Sequence, residues 1–504
     1  MIAELIKKEI HDNLLTFRFT FGTLMLILLV IAVSWVNIQN YKDLNQEYLF
    51  SVQKNEEDLR DSRVYCSLKY EAIRPPEALS VFNLGVTDRL GNSLTISLRD
   101  IPVVEKKYTQ ENPLLNIFPS LDLTLVYKIV ISLLAMLFAF DAFSGEKERG
   151  TLSLLLSHRL SRISIVLSKY FGNLITLAIS FFISLLIMFI IFIAAFPAVK
   201  GVDWVRILMF AFLTMFYISV FLILGMLISG LTQKSSHSLI FCLFFWILLV
   251  IIVPNLSTYL ATVIRSVPPE KSVMLKIREL YSETSQKIGD WEEKNRVPIS
   301  LSGSMDGEEG QYILTSGDKE TIEYFQRLIA FTEPLMKERS EKIWQAKQEY
   351  YFALRRQEKL ASFISRISPA GLYQETAEII SRTDIKTYEN FIQQAQLQRE
   401  AVYNYLESRD AFNSLRFFTV LEEKDLLPRE EYGRVKPYQK PGGGYYQLKD
   451  FSPLSLEDFP RFQYKEIRLS TSFQNILYFL IVFVIVNFVF LAAAAAAFNF
   501  YDVR

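Results

Sequence analysis

The sequence predicts an all-α polytopic membrane protein with six transmembrane helices. Six nearly uncharged apolar stretches lie along the 504-residue chain. Each is about as long as the ~20 residues that a helix needs to cross the hydrocarbon core of a bilayer. Because backbone amides find no water in that core, each stretch must satisfy its own amides as a helix. The predicted spans are residues 19–38, 123–143, 171–196, 207–230, 239–262 and 473–498.

Residues 1–18 are expected to form an amphipathic helix on the cytoplasmic membrane surface. Apolar side chains recur there at helical spacing, at Ile2, Leu5, Ile6 and Ile10, a pattern typical of interfacial helices. The basic residues before the first span resemble a signal peptide, but the apolar run is too long and no small-residue cleavage site follows. We therefore interpret the first span as an uncleaved anchor.

The basic residues of the short loops predict that both termini lie in the cytoplasm. Lysine and arginine are retained on that side, and the loop at residues 144–170 holds five of them. The turn at residues 232–237 adds Lys234, whereas the turn at residues 197–205 holds only Lys200. Counting spans then places two inserts outside the cytoplasm and the tail inside it. These segments are residues 39–122, residues 263–472 and the tail at residues 499–504.

The composition argues against several functional classes. The chain carries 54 basic and 54 acidic residues, so it has no net field that would attract nucleic acid. Its two cysteines, Cys66 and Cys242, lack the spacing of a zinc site,. Its three histidines all fall on the predicted cytoplasmic side. We therefore expect no catalytic residues, no metal site and no nucleic-acid partner.

The first insert is predicted to contain a helical extension and a small β element. Residues 39–63 are polar and continue the first helix. Pro75 and Pro76 then break the helical pattern,. Residues 85–98 indicate two short strands joined by a turn at Gly91 and Asn92,.

The second insert is predicted to be mostly helical. Pro334 is a candidate kink within its longest helix,. Segments rich in glycine, serine and proline separate the helices and are predicted to be loops. The predicted helices are residues 270–295, 318–365, 373–381 and 385–414, and the predicted loops are residues 297–317 and 437–447.

The segment after the second span carries the most informative motif. It reads FAFDAFSGEKERGTLSLLLSHRLSRISIVLSKYFGN, residues 138–173. It resembles the cytoplasmic coupling loop of ABC transporter permeases of the type-2 (type V) exporter class, where an acidic-basic-acidic stretch precedes Gly-Thr-Leu and a Lys-X-X-Gly leads into span three. The residues of this loop are Glu146, Lys147, Glu148, Arg149, Gly150, Thr151, Leu152, Ser157, Ser161, Arg162, Lys169 and Gly172.

The resemblance extends to the span order and to the two long inserts, which are similar to those of a subgroup with a large extracytoplasmic domain. The segments RPPEALSVFNLGV, ISPAGLYQETAEI and FSPLSLEDFPRF carry this part of it. The resemblance implies a multi-pass protein of the bacterial cytoplasmic (inner) membrane that pairs with a second permease, identical or related. It also implies separate ABC ATPase subunits that bind ATP and Mg²⁺, no cofactor in this chain, and a possible extracytoplasmic partner protein.

The chemistry of the same loop suggests a mechanical role. Glu146 and Glu148 suit the start of a short helix, Gly150 permits a turn, and Thr151 is a candidate N-cap for residues 152–157. A short helix between two spans would move both spans when it is pushed. Because the sequence contains no G-x-x-x-x-G-K-[ST] motif, ATP hydrolysis is expected in a partner chain. The simpler alternative is a basic loop that only reflects membrane orientation.

Few polar side chains are predicted inside the spans. Asp141, near the inner end of span two, is expected to reach the cytoplasm or to brace the coupling loop. Lys128 and Arg206 are expected to extend to the outer interface. Asn487 is the most interior polar residue, and we expect it to bond between helices rather than to contact cargo.

These observations favour the membrane subunit of an ATP-driven exporter. The apolar lining suits a hydrophobic or amphipathic cargo better than a small ion. One alternative is a mechanotransmitter, in which ATP-driven motions of the spans act on an extracytoplasmic partner and nothing is transported. A second alternative is a membrane-anchored receptor that has no ATPase.

Overall fold

The computed structural model describes residues 2–86, 90–97, 101–104, 121–151, 161–196, 201–299, 301–304, 313–432, 434 and 450–499. Helices dominate these residues, and six of them are long and apolar enough to cross a membrane. The prediction of an all-α polytopic membrane protein with six spans is therefore confirmed.

The membrane-spanning bundle is built from six long helices, two of which contain a π-helical turn. The first five of them are α2 (Phe17–Asp61), α3 (Leu123–Val126, a π turn at Tyr127–Ile131, then Ser132–Ala139), α5 (Arg162–Ala195), α6 (Gly201–Leu231) and α7 (Ser235–Trp246, a π turn at Ile247–Ile252, then Val253–Ile264). Two short helices flank them, α1 (Ile2–Leu14) and α4 (Ser144–Glu148). The helices of the second insert and the last span are α8 (Glu270–Lys294), α9 (Lys319–Ser365), α10 (Pro369–Ser381), α11 (Ile385–Ser408), α12 (Arg429–Tyr432) and α13 (Leu469–Asn499).

The fourth span, α6, forms the centre of the bundle. The most apolar stretch of α6 is 78% buried, whereas the most apolar stretches of α7 and α13 are only 17% buried. A helix that is apolar all round belongs in the interior, and one with a single packed face belongs at the periphery. The exposed apolar faces of α2, α7 and α13 are thus the surfaces available to lipid or to another membrane protein.

The two ends of the bundle gather different parts of the chain. One end, the α4 end, contains α1, α4, the turn between α6 and α7, and the last residues of α13. The opposite end, the insert end, contains both inserts. There Asn37 donates to the carbonyl oxygen of Val81 at 3.2 Å, and Arg206 donates to that of Ile380 at 2.7 Å. Both inserts therefore lie at the end opposite α1 and α4.

The helix α10 joins the second insert to the spans. Its Tyr373 is fully buried and stacks on Tyr217 of α6, with ring centroids 4.3 Å apart. The two hydroxyls of Tyr373 and Thr214 lie 3.0 Å apart. Since α10 shares one hydrophobic core with the spans, this helix of the second insert packs directly on the membrane-spanning bundle.

The first insert contains a long helical extension and a three-stranded antiparallel sheet. As predicted, the first helix continues beyond the span, and α2 reaches 45 residues. The sheet order is β1 (Tyr70–Ile73), β2 (Ser93–Ile96), β3 (Val103–Val104). The predicted local hairpin around Gly91 is wrong, because β2 pairs with β1 and β3 on its two sides. Asn55 of α2 holds β1 through a two-way hydrogen bond with the backbone of Glu71.

The second insert differs from the prediction at several boundaries. The predicted loop at residues 297–317 contains two antiparallel strands, β4 (Leu301–Ser304) and β5 (Ile313–Gly317). These strands are fixed by a distant contact, since the Leu314 amide donates to the Phe418 carbonyl at 2.9 Å. Pro334 lies within an uninterrupted α9. Residues 437–447 lie outside the described part of the chain.

Three helix ends also fall elsewhere than predicted. The helix α5, which contains span three, begins at Arg162, within the segment predicted as the coupling loop at residues 144–170. The helix α10 begins at Pro369, four positions before the predicted start, with Ser368 as its cap. The helix α11 ends at Ser408 instead of residue 414, since the chain turns at Asp410.

Candidate functional site

The candidate site is the short helix α4 and the groups that hold it at the α4 end of the bundle. The Ser229 hydroxyl of α6 accepts hydrogen bonds from the amides of Phe143 and Ser144, both at 3.0 Å. A neighbouring span thus satisfies two of the amides that a helix start leaves unpaired. After α4 the chain turns at Gly150, whose φ of +71° lies in the left-handed region that favours glycine,.

A buried lysine ties α4 to two other helices. Lys169 of α5 is 5% exposed, and its Nζ lies 2.9 Å from Glu9 of α1 and 3.4 Å from Glu146 of α4. A buried ammonium group is stable only when it is paired in this way. Glu146 also contacts the Thr151 hydroxyl. Glu146 of the predicted coupling loop therefore makes internal contacts with α5 and with Thr151.

Close packing between α1 and α5 makes this arrangement possible. A Cβ atom added at Gly172 would lie 2.5 Å from the Cβ of Glu9, so a glycine is needed for α1 to approach. One turn further along, Asn13 of α1 donates to Asn173 at 2.6 Å. The amphipathic helix α1 is therefore docked on span three by polar bonds as well as by its apolar face.

Two other charges of α4 bind the turn between α6 and α7. Lys147 donates to the carbonyls of Gly230 and Thr232, at 2.5 and 2.9 Å, where the end of α6 attracts a cation. Glu148 accepts from the amide of Ser235 at 3.1 Å and from its hydroxyl at 2.8 Å. Because the Ser235 amide lies at the first residue of α7, the carboxylate of Glu148 suits that helix end,. The helix α4 thus contacts the turn that joins spans four and five.

The remaining predicted residues occupy varied positions. Asp141 pairs with Arg18 of α2 at 2.9 Å, so it contacts span one. Ser161 caps α5 by accepting from the Ser164 amide at 3.1 Å. Arg162 donates to the Phe498 carbonyl of α13 at 3.2 Å. Arg149 is exposed. Leu152 and Ser157 lie outside the described residues, as does the helix that Thr151 was expected to cap.

Asn487 bonds to α6 inside the bundle. Its side-chain oxygen accepts from Ser219 of α6 at 2.5 Å, and its amide donates to the Phe483 carbonyl of its own helix at 2.9 Å and to the Phe216 carbonyl of α6 at 3.3 Å. The hydroxyl of Tyr170 lies 2.7 Å from that of Ser219. Spans three, four and six are therefore joined by one polar chain.

The expectation that Arg206 extends to an interface is wrong. The residue is fully buried, and it donates to the last carbonyls of α10, where the helix end is negative. Lys128 likewise turns inward and donates to Gln374 of α10 at 3.1 Å. Both cations connect spans to the second insert, which apolar patterning alone does not indicate.

A second charged cluster, the Arg382 cluster, lies at the insert end. Arg382 is 5% exposed and is the left-handed residue, with φ of 58°, that ends α10. It contacts Glu77 of the first insert at 3.4 Å, Asp203 of α6 at 3.3 Å, and Glu466 of the segment before α13. One guanidinium therefore joins both inserts to α6.

The Arg382 cluster makes stability depend on pH. Burial raises the pKa of Glu77 to about 7, although Arg382 and Arg74 oppose the shift. Because the folded-state pKa lies above the usual 4.5, the stability from this group is complete below that value and is lost as pH rises through about 7. We expect the unfolding temperature in detergent to fall between about pH 5 and about pH 8.

Glu77→Gln is expected to reduce this fall in the unfolding temperature. Part of the fall should persist, because burial also raises the pKa of Glu378 to about 7. The double variant Glu77→Gln/Glu378→Gln should have the flattest profile. An unaltered slope in the Glu77→Gln variant would contradict the assignment.

Comparison with known proteins identifies the family of this chain. The model of a family described as ABC-2 family transporter protein matches residues 3–503. The chain is also 41% identical over 59 residues to the probable ABC transporter permease protein NosY of Pseudomonas aeruginosa. That match covers 12% of this chain and 22% of the relative, so the chain matches about a fifth of that relative's length. The prediction of an ABC transporter permease is confirmed, and the chain belongs to the ABC-2 family of transporter proteins.

Proposed function

We propose that this chain is the permease subunit of an ATP-driven exporter in the bacterial inner membrane, coupled through α4 to a separate ATPase. The observation that carries the proposal is the set of bonds made by α4. Through Glu146, Lys147 and Glu148 it is tied to spans three, four and five and, through Lys169, to α1. A displacement of α4 is therefore transmitted to most of the bundle at once.

The proposed topology places the α4 end in the cytoplasm. There the exposed positive residues Lys7, Lys8 and Arg149 agree with the side on which basic residues are retained. The ATPase, with its ATP and Mg²⁺, docks on this end. A second permease, identical or related, packs against the exposed apolar spans.

Arg149→Glu tests the docking surface without disturbing the internal bonds of α4. Arg149 is exposed, so its reversal should leave thermal stability unchanged. We expect the amount of ATPase that copurifies with the tagged chain from native membranes to fall about tenfold, since like charges across an interface are strongly unfavourable. ATP hydrolysis by the recovered complex should fall in proportion.

Arg60→Glu is the matched control for that experiment. Arg60 is exposed near the far end of α2, at the insert end. Its reversal should leave ATPase recovery unchanged. If equal amounts of ATPase copurify with the Arg149→Glu and Arg60→Glu variants, the proposal that the ATPase docks at α4 is wrong.

The mechanotransmitter remains a second candidate because of the packing of α10. The stack of Tyr373 on Tyr217 and the bond from Arg206 to Ile380 join the insert firmly to span four. Motion of that span must therefore move the insert. Reconstituted vesicles distinguish the two functions: export predicts ATP-dependent movement of an apolar cargo, whereas a relay predicts ATP-dependent change in the insert with no movement of cargo.

A further inference from the structure

A cavity of about 800 Å³ lies at the insert end of span five. Its walls come from the last turns of α7, from the second half of α9, from the first half of α11 and from Leu90 of the first insert. A volume of this size is typical of sites that bind small organic molecules. Since Thr258 and Ala261 belong to a membrane span, the cavity opens where a bilayer would meet the insert.

The walls are aromatic and largely apolar. Trp344, Tyr351 and Phe352 of α9 line the cavity together with Tyr388 of α11. Phe352 remains 60% exposed and Tyr351 42% exposed, although large apolar rings are usually buried. Ring faces bind apolar surface and also attract cations, because the quadrupole of the ring is negative at its face.

The charged groups in the walls are mostly acidic. Three carboxylates, those of Glu349, Glu358 and Glu389, line the cavity with one guanidinium, that of Arg355. Arg355 contacts Glu389 directly. Glu349 pairs weakly with Lys276 at 3.8 Å, where both side chains are more than half exposed,. The balance of charge in the walls is therefore negative.

Glu358 is the carboxylate whose charge is least compensated. No cation among the described residues forms an ion pair with it, although Lys386, Arg355 and Arg366 act on it from a distance. The side chain of Glu358 is exposed, and partial desolvation and the nearby Glu375 raise its pKa. A carboxylate whose pKa is raised in this way is stabilised in its charged form when a cation binds beside it.

We infer that this cavity binds hydrophobic cations, with the apolar body against the aromatic walls and the positive group beside Glu358. A neutral apolar ligand would use the rings but not the carboxylate, and an anion would be repelled. This binding requires neither ATP nor a partner chain, so it goes beyond the proposed export function and is tested separately from it. If export also holds, the site offers a place for cargo at the end opposite the ATPase.

Two ions of equal shape and opposite charge test the inference. The purified full-length chain in uncharged detergent is titrated with tetraphenylphosphonium and with tetraphenylborate, and partition into empty micelles is subtracted. We expect saturable binding of the phosphonium, with a Kd at least about tenfold lower than that of the borate. Equal affinities, or tighter binding of the borate, would overturn the inference.

Variants locate the site within the chain. Glu358→Gln should weaken phosphonium binding about three- to tenfold and should not weaken borate binding. Glu341→Gln, on an exposed position of the same helix, is the matched control and should leave both affinities unchanged. Ala361→Trp should fill the cavity and weaken the binding of both ions. Undiminished phosphonium binding in both Glu358→Gln and Ala361→Trp would place the bound ion elsewhere and contradict the inference.

Discussion

Arg382→Met is expected to lower the free energy of unfolding by about 3–5 kcal/mol, the loss typical when one partner of a buried ion pair is removed. Three carboxylates surround the guanidinium, those of Glu77, Asp203 and Glu466. Without it, the three carboxylates lose the one cation of the cluster that contacts all of them. Methionine keeps the length of the side chain and the same backbone conformation. Chemical unfolding in detergent, followed by circular dichroism, measures the loss.

Arg409→Met is the matched control for the Arg382 variant. Arg409 also ends a helix of the second insert, and it pairs with Asp458. Its side chain is 34% exposed and that of Asp458 is 60% exposed, so solvent screens the pair. The loss should be far smaller. If the two variants are equally destabilised, the Arg382 cluster does not hold the inserts to the spans.

Lys169→Met is expected to lower the free energy of unfolding by about 3 kcal/mol. The substitution leaves Glu9 and Glu146 close together at the α4 end without their shared cation. We expect α1 to separate from span three before the rest of the bundle unfolds. Hydrogen exchange followed by mass spectrometry should show faster exchange in α1 and α4 than in α10.

A surface lysine provides the comparison for Lys169. Lys7 lies on α1 and pairs with Glu4, but both side chains are 75% exposed. Lys7→Met should therefore leave the exchange rates of α4 unchanged. Faster exchange throughout the bundle in the Lys169→Met variant, with no preference for α1 and α4, would contradict a local role for Lys169.

The spans and α1 were predictable because their signals are local. Twenty apolar residues or a repeat of Leu5, Ile6 and Ile10 can be recognised without knowledge of any other segment,. Helix starts were less well predicted where a familiar signal was misread. The Ser368-Pro369 pair was interpreted as a break, although proline is common at the first position of a helix and α10 begins there.

The polar centres were not predictable, since their partners lie far apart in the sequence. Lys169 bonds to Glu9 across 160 positions, and Arg382 bonds to Glu77 across 305. Neither cation lies in a sequence pattern that indicates which residue is its partner. The position of Arg382 is unusual as well, because glycine is the common residue at a left-handed helix end. For the same reason the sequence does not indicate the bonds of Glu146 to Lys169 and of Glu148 to Ser235.

The length of α2 has a consequence for any motion of this protein. Its 45 residues form a continuous rod about 68 Å long, more than twice the thickness of a ~30 Å hydrocarbon core. The β1–β2–β3 sheet is attached near its distal end through Asn55. A rotation of the rod by about 5° at its base swings the distal end by about 6 Å. A tilt of this helix at the α4 end would therefore become a larger displacement at the sheet, in proportion to the distance along the helix,.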